Sequence, residues 1–284
     1  MMSRRLRALV GGLAILFVLL ETPAIGPAGS SDPALQEQEH FSAPTFGEAP
    51  APFAEMGQWD DVAPSLPAGM EQRKPVRIAL DPGHSRWDVG ASGAGLAEYK
   101  LSLEIAMRAR AFLHDWGYEV ALTREDTRRL AERVPPDPIA AIRVEQEARH
   151  RAAGASCVYV SIHLNGHPNR ALRGTETYFN SDNFGEESHR LALSLQGQTV
   201  GALRAVGYDA NDRGVREDLT AGKPYGHFFS LRGPFPSALV EALFLSNPTE
   251  AALLHREEVR AALAEGVARG IDDYLSGSDC APSD

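Results

Sequence analysis

The sequence predicts a single α/β domain, a mainly parallel twisted sheet with helices on both faces. Two observations carry that expectation. Short runs rich in Val, Ile, Leu and Phe alternate along the chain with longer stretches whose apolar residues recur at helical spacing. The short runs are nearly continuous, as in strands buried on both faces rather than one. A length of 284 residues, with 43% hydrophobic and 23% charged side chains, suits one substantial core.

Arg4, Arg5 and Arg7 precede an apolar run from Ala8 to Leu20. That run is shorter than the roughly 20 residues that span a bilayer, so residues 1–26 read as a secretory signal peptide or, if uncleaved, an N-terminal anchor. Either fate places the working domain outside the cytoplasmic membrane: periplasm, cell wall or medium. Residues 27–73 are rich in Pro, Ala, Gly, Ser and Glu and are expected to be a disordered linker. The folded domain is expected over 74–277, with 278–284 a flexible tail.

Within the domain, VRIALD at 76–81 reads as a buried strand leading into a glycine-rich loop that ends at Gly95. Leu101, Ile105, Phe112, Leu113 and Trp116 give 98–116 a helical stripe, which Gly117 ends. YEVALT at 118–123 is a strand, 139–153 a helix, and CVYVSIH at 157–163 a continuous apolar strand. GTETYF at 174–179 alternates like a partly exposed strand, and 189–206 is helical. Residues 213–225 lack periodicity and are expected to be a loop, with 216–226 a short flap. FFSL at 228–231 and ALVEALFL at 238–245 read as further strands. Asn247, Pro248 and Glu250 then form the opening of a helix, and 257–275 closes the domain as an amphipathic one.

A net charge of -10, with no Lys or Arg cluster beyond the first residues, excludes nucleic acid as a natural partner. The two cysteines, Cys157 in an apolar strand and Cys280 in the polar tail, form no disulfide framework and no CxxC pair; Cys157 reads as a small buried hydrophobe, with a bridge between the two as the minor alternative.

Four residues stand where such a fold gathers side chains, near the carboxyl ends of strands or at a helix start: His84, Glu98, His163 and Glu241. Two imidazoles and a carboxylate supply three ligands for one zinc ion with a position left for water, and a further carboxylate can move protons. Glu98 can fold back to His84 because Gly90, Gly93 and Gly95 make the intervening loop pliable. Taken singly, a histidine at a strand end is more often a hydrogen-bonded core or surface residue, and Glu98 would pass as a helix-dipole partner. Glu241 resists that reading, because a carboxylate among Leu239, Val240, Leu243 and Phe244 is costly to bury without a partner or a function. His167 and His227 lie nearer the mouth than the remaining histidines.

These segments resemble, in order and spacing, the zinc-dependent N-acetylmuramoyl-L-alanine amidases of the amidase 3 type. The motifs are LDPGH with Glu98 fourteen residues on, TRED at 123–126, SIHLN at 161–165, GTETYF, DRGVR at 212–216 and VEALFLSNPTE at 240–250. The resemblance covers about residues 74–276. It implies His84, Glu98 and His163 as ligands of one Zn2+ and Glu241 as the catalytic glutamate. The reaction implied is hydrolysis of the amide between N-acetylmuramic acid and the L-alanine of the peptidoglycan stem peptide. Asn165 and Arg213 are candidate substrate contacts, Asn165 being readable equally as a turn residue before Gly166.

The chain departs from the family in SRWDVGAS after the first histidine and in the Arg- and Pro-rich segment 124–151. Only His167 to Leu172 separate LNG from RGTETYF, leaving no room for the inserted helix that plugs the site in some members. An open site with no obligatory activator is therefore expected, in a monomer acting on peptidoglycan. Two alternatives stay in view: an endopeptidase using the same zinc site, and a non-catalytic wall-binding or regulatory module, which should show a broken ligand set.

Overall fold

The computed structural model describes residues 76–278 and Cys280. The expected signal or anchor at 1–26 and the linker at 27–73 lie outside the described residues. The elements in chain order are β1 (Arg77–Pro82), a two-residue-stranded hairpin β2 (Ser92–Gly93) and β3 (Leu96–Ala97), α1 (Glu98–Asp115) and β4 (Glu119–Leu122). They continue with α2 (Pro138–Ala153), β5 (Val158–Asn165), β6 (Thr175–Phe179), α3 (Gly185–Ala205) and β7 (Asp212–Glu217). The last are β8 (Ser237–Phe244), α4 (Pro248–Leu253) and α5 (Glu257–Ser276).

Six strands form one sheet in the order β4-β1-β5-β8-β6-β7. Every neighbouring pair is parallel except β6 with β8. The expected mainly parallel sheet is thus present, with helices on both faces, though unequally. α1 and α3 pack on the strands of one face and α5 packs on both of them. There they bury Ile78, Leu80, Val158, Val160, Ile162, Ala238 and Val240 with helix residues such as Ile105, Leu195 and Leu263. α2 lies on the other face and buries only Arg149 and Ala153 of its own length. Beneath it, Tyr159 stacks on Phe235 at 5.1 Å and Ala79 completes a small cluster.

Because side chains of a strand alternate between faces, this inequality sorts the odd-numbered residues of β1, β5 and β8 onto the thinly covered side. Asp81, Ser161, His163 and Glu241 fall there, with the apolar residues between them turned to the three-helix side.

Several boundaries follow the sequence closely. Asn247 caps α4 by accepting from the backbone N–H groups of Thr249 (3.0 Å) and Glu250 (3.1 Å), with Pro248 at the first position. Three expectations need correction. FFSL does not form a strand: Phe229–Leu231 is a 3-10 turn whose residues are buried without sheet pairing. A short apolar run reports burial and leaves pairing open. Within the expected loop 213–225, β7 pairs with β6 as an edge strand, its polar sequence DRGVRE hiding it from any apolar pattern. Third, Cys157 and Cys280 are joined by a disulfide. α5 returns its end to the start of β5, so two residues 123 apart in sequence lie with Cα atoms 6.0 Å apart. Cys280 lies within the segment 278–284 expected as a flexible tail, of which residues 279 and 281–284 lie outside the described residues.

Candidate metal centre and groove

The strand register builds the centre. β5 and β8 align His163 with Glu241, and β8 and β6 align Glu241 with Glu176, so the three residues form a row across the sheet on one face. One step down, β1 and β5 align Asp81 with Ser161. The LDPGH loop leaves β1 above that row, and α1 begins with Glu98, which is 3% exposed.

Glu98 Oε1 is 3.2 Å from His84 Nε2 and 2.8 Å from His163 Nδ1. The three donors lie within 4.8 Å of one another, and the two imidazoles meet edge to face at 4.8 Å between centroids. Ligands of a tetrahedral zinc ion bonded at about 2 Å stand roughly 3.3 Å apart, so this donor set fits such an ion in both chemistry and spacing. Two glycines leave the space open. A Cβ at Gly83 would stand 2.4 Å from the His163 ring, and one at Gly90 2.3 Å from Glu98 Oε2.

The charge balance also suits a cation. Burial opposes protonation of His84, but hydrogen bonds and charges from Asp88 and Glu98 outweigh it and raise its pKa to about 10. Burial lifts the Glu98 carboxyl, yet the two histidines pull it well below the usual carboxylate range. Burial lowers the pKa of His163. Asp88 Oδ2 sits 2.9 Å from His84 Nδ1, the ring nitrogen turned away from Glu98. Such a carboxylate fixes the ring and sharpens its basicity as a ligand.

His84 has a left-handed backbone, φ 62°, which costs a non-glycine residue about 1–3 kcal/mol. Two buried guanidinium groups hold it there. Arg149 donates to Asp81 Oδ1 (2.9 Å), the Pro82 carbonyl (2.6 Å) and the His84 carbonyl (2.7 Å). Arg124 donates to the Pro82 (3.0 Å), Gly83 (2.8 Å) and Tyr99 (2.8 Å) carbonyls. Burial raises the Asp81 pKa, but the Arg149 charge and hydrogen bonds from Thr123, Ser161 and Arg149 prevail and hold it at about 2. The TRED motif thereby has a physical role, since its Thr123 and Arg124 secure the loop that carries the first histidine.

Glu241 opens on the same cavity as His84 and His163, of about 570 Å³. Its Oε2 is buried and has no hydrogen-bond partner. Burial and the nearby Glu98 charge push its pKa well above the ordinary value, with His84 and Lys223 opposing. A buried carboxyl oxygen left without a partner beside three converging donors is what a proton-transfer group poised for substrate looks like.

Asn165 and Arg213 sit elsewhere in the row. Asn165 Nδ2 donates to Glu176 Oε1 (2.6 Å) and Arg213 Nε to Glu176 Oε2 (2.8 Å), while Arg216 adds a further contact at 3.2 Å. Their polar atoms are directed to Glu176, so they brace the strand beside Glu241. His167 and His227 are not among the described residues that line the cavity. His227 belongs to a second cluster, with Asp218 at Nδ1, Asp182 at Nε2 (3.0 Å) and Glu217 at 3.5 Å. Burial lowers the pKa of His227, but hydrogen bonds and charges from those carboxylates outweigh it and raise it. The second oxygen of Asp218 accepts from Phe228 N–H at 2.7 Å, which fixes the loop 218–228.

Sequence reasoning passed over Asp88 and Arg149 as site residues. Asp88 follows His84 by four positions, and Arg149 follows Glu145, its ion-pair partner at 3.1 Å, by the same interval. That spacing was the available signal in both cases.

Fold and site define the class first: an α/β protein with a candidate hydrolytic metal centre at the carboxyl ends of parallel strands. The chain belongs to the N-acetylmuramoyl-L-alanine amidase family, whose model matches residues 78–273. It is similar to the germination-specific N-acetylmuramoyl-L-alanine amidase of Bacillus subtilis, 30% identical over 209 residues, 70% of this chain and 79% of that protein. Among solved structures it resembles the catalytic domain of the amidase CwlV from Paenibacillus polymyxa, with TM-score 0.58, 29% identity, and 72% and 99% of the two chains covered. The CwlD amidase of Clostridioides difficile, solved in complex with the GerS lipoprotein, aligns with TM-score 0.57, 26% identity, and 72% and 100% coverage. The activity that goes with the family is amidase action on peptidoglycan in cell-wall processes.

Proposed function

We propose that the protein is an exported, zinc-dependent N-acetylmuramoyl-L-alanine amidase, with His84, Glu98 and His163 holding one Zn2+ and Glu241 as the catalytic base. The observation that carries this reading is the buried, unpartnered Oε2 of Glu241 on the same cavity as His84 and His163, whose rings converge on Glu98. Zinc, when bound, supplies Lewis-acid polarisation of the scissile carbonyl and makes water a stronger acid. The chain's own residues do the rest. Glu241, whose proton affinity burial has raised, takes a proton at Oε2 from the attacking water and returns it to the departing alanine nitrogen. Asp88 orients the His84 ring, and Arg149 and Arg124 hold the loop that presents it. Glu176, fixed by Asn165 and Arg213, braces the strand opposite Glu241, so those two residues act through positioning.

Residues 166–174 alone connect β5 to β6, a connection too short for an inserted helix, which supports a site that opens without an obligatory activator. The complete donor set speaks against a non-catalytic module. Mass analysis of sacculi digested with the purified protein tests the bond. Intact stem peptides starting at L-alanine, leaving glycan with free lactyl carboxyl groups, are expected. Shortened peptides still attached to glycan would make the enzyme an endopeptidase instead.

A further inference from the structure

The cavity extends beyond the catalytic groups to a rim with two cations, Arg129 and Lys223. Neither forms a salt bridge among the described residues, in a chain that carries 38 acidic side chains against 28 Lys and Arg. Both rest on aromatic rings instead. The Arg129 guanidinium lies 4.6 Å from the centroid of Trp87, which is 67% exposed, and Lys223 Nζ lies 5.3 Å from that of Phe228. A ring under a cation steadies its position and leaves its charge free for an incoming anion.

The loop bearing Lys223 is built to hold it. Gly226 N–H donates to the Lys223 carbonyl at 3.0 Å, Tyr225 stacks on Phe229 at 4.8 Å, and Phe228 is anchored through Asp218 to the His227 cluster. Lys223 is also close enough to Glu241 for its charge to act on that carboxyl. Glu241 protonates the departing alanine nitrogen, so the stem peptide must leave the centre from the side of Glu241. The residue after L-alanine then comes toward the Lys223 rim, and in a stem peptide that residue is a glutamate joined through its side chain, with its α-carboxylate free or amidated.

Resting on the amidase reading, we propose that Lys223 is a specificity-determining residue whose ammonium pairs with the free α-carboxylate of the second stem-peptide residue. The enzyme accordingly distinguishes acidic from amidated stem peptides. Arg129 on Trp87 continues the same positive rim.

The test measures kcat/KM on two muropeptides that differ only in carboxylate or carboxamide at that residue. The parent should prefer the carboxylate by about tenfold, the scale of one hydrogen bond to a charged group. Lys223→Met should bring the ratio to about one, and Lys223→Glu should invert it, with the change carried by KM and zinc content equal to the parent's. A ratio that stays at the parent value in both variants overturns the inference alone. Failure of the parent to cleave the muramyl–alanine amide in either substrate overturns the amidase reading, and this inference with it. A misfolded Lys223→Glu protein would show as lost zinc and lost thermal transition, and Lys223→Met then decides.

Discussion

The two faces of the sheet use the same strands for opposite ends. Toward α1, α3 and α5 the alternate residues of β1, β5 and β8 are Ile78, Leu80, Val160, Ile162 and Val240, all fully buried and apolar. Toward α2 they include, beside Ala79 and Tyr159, the polar Asp81 and Ser161, fully buried, and His163 and Glu241, partly buried where the cavity opens. The apolar face stabilises by removing area from water. The polar face must satisfy each group with a specific partner, so it is intolerant of single losses and leaves one group, Glu241, deliberately open. Stability and chemistry thus differ by one residue along a strand.

The sharpest contrast lies within the polar face. Glu241→Gln should lower turnover by about 10²–10⁴-fold, the range for removing a general base, while metal analysis still finds one zinc per chain. His163→Ala should lose both. A Gln variant with parental rates would show that Glu241 is not the base.

Next in size is the scaffold under the centre. Arg149→Met leaves Asp81 buried without its cation and should cost about 3–5 kcal/mol in denaturant unfolding. Asp81 itself gives the acid limb a signature. Its folded pKa, about 2, lies below the ordinary 3.8. The carboxylate therefore contributes about 2 kcal/mol that is fully present above pH ~4 and is lost as pH falls through ~2. Asp81→Asn should flatten that limb of the stability profile. An unchanged slope between these values would remove Asp81 from the account.

Asp88→Asn should weaken zinc binding by about 10–100-fold, as loss of a ligand-orienting carboxylate does, measured by competition with a chelator. The smallest effect belongs to the apolar face. Ile162→Val, one residue from His163, should cost about 0.5–1.5 kcal/mol and leave zinc affinity at the parent value. Loss of zinc in that variant would break the separation of the two faces.

How far the sequence could be read follows the same division. His84, Glu98 and His163 stood out by their places at strand ends and a helix start, and Glu241 because it interrupts an apolar run; the structure brings the first three together and opens His84, His163 and Glu241 on one cavity. The edge strand β7 escaped notice because its polar residues carry no burial signal, and FFSL misled because buried residues need not pair. The disulfide stayed a minor alternative for a related reason. Nothing local marks Cys157 and Cys280 as neighbours until α5 returns across the sheet.

By itself the sequence determined the alternation of strands and helices, the order of the motifs and the identity of the donor groups. These are written in local periodicity and in the energetic oddity of a charge among apolar residues. Only the tertiary structure decided that His163, Glu241 and Glu176 share one row and that Arg149 grips the loop of His84. It alone set Lys223 on the rim with its charge unspent, because register and long-range hydrogen bonding depend on how distant segments pack.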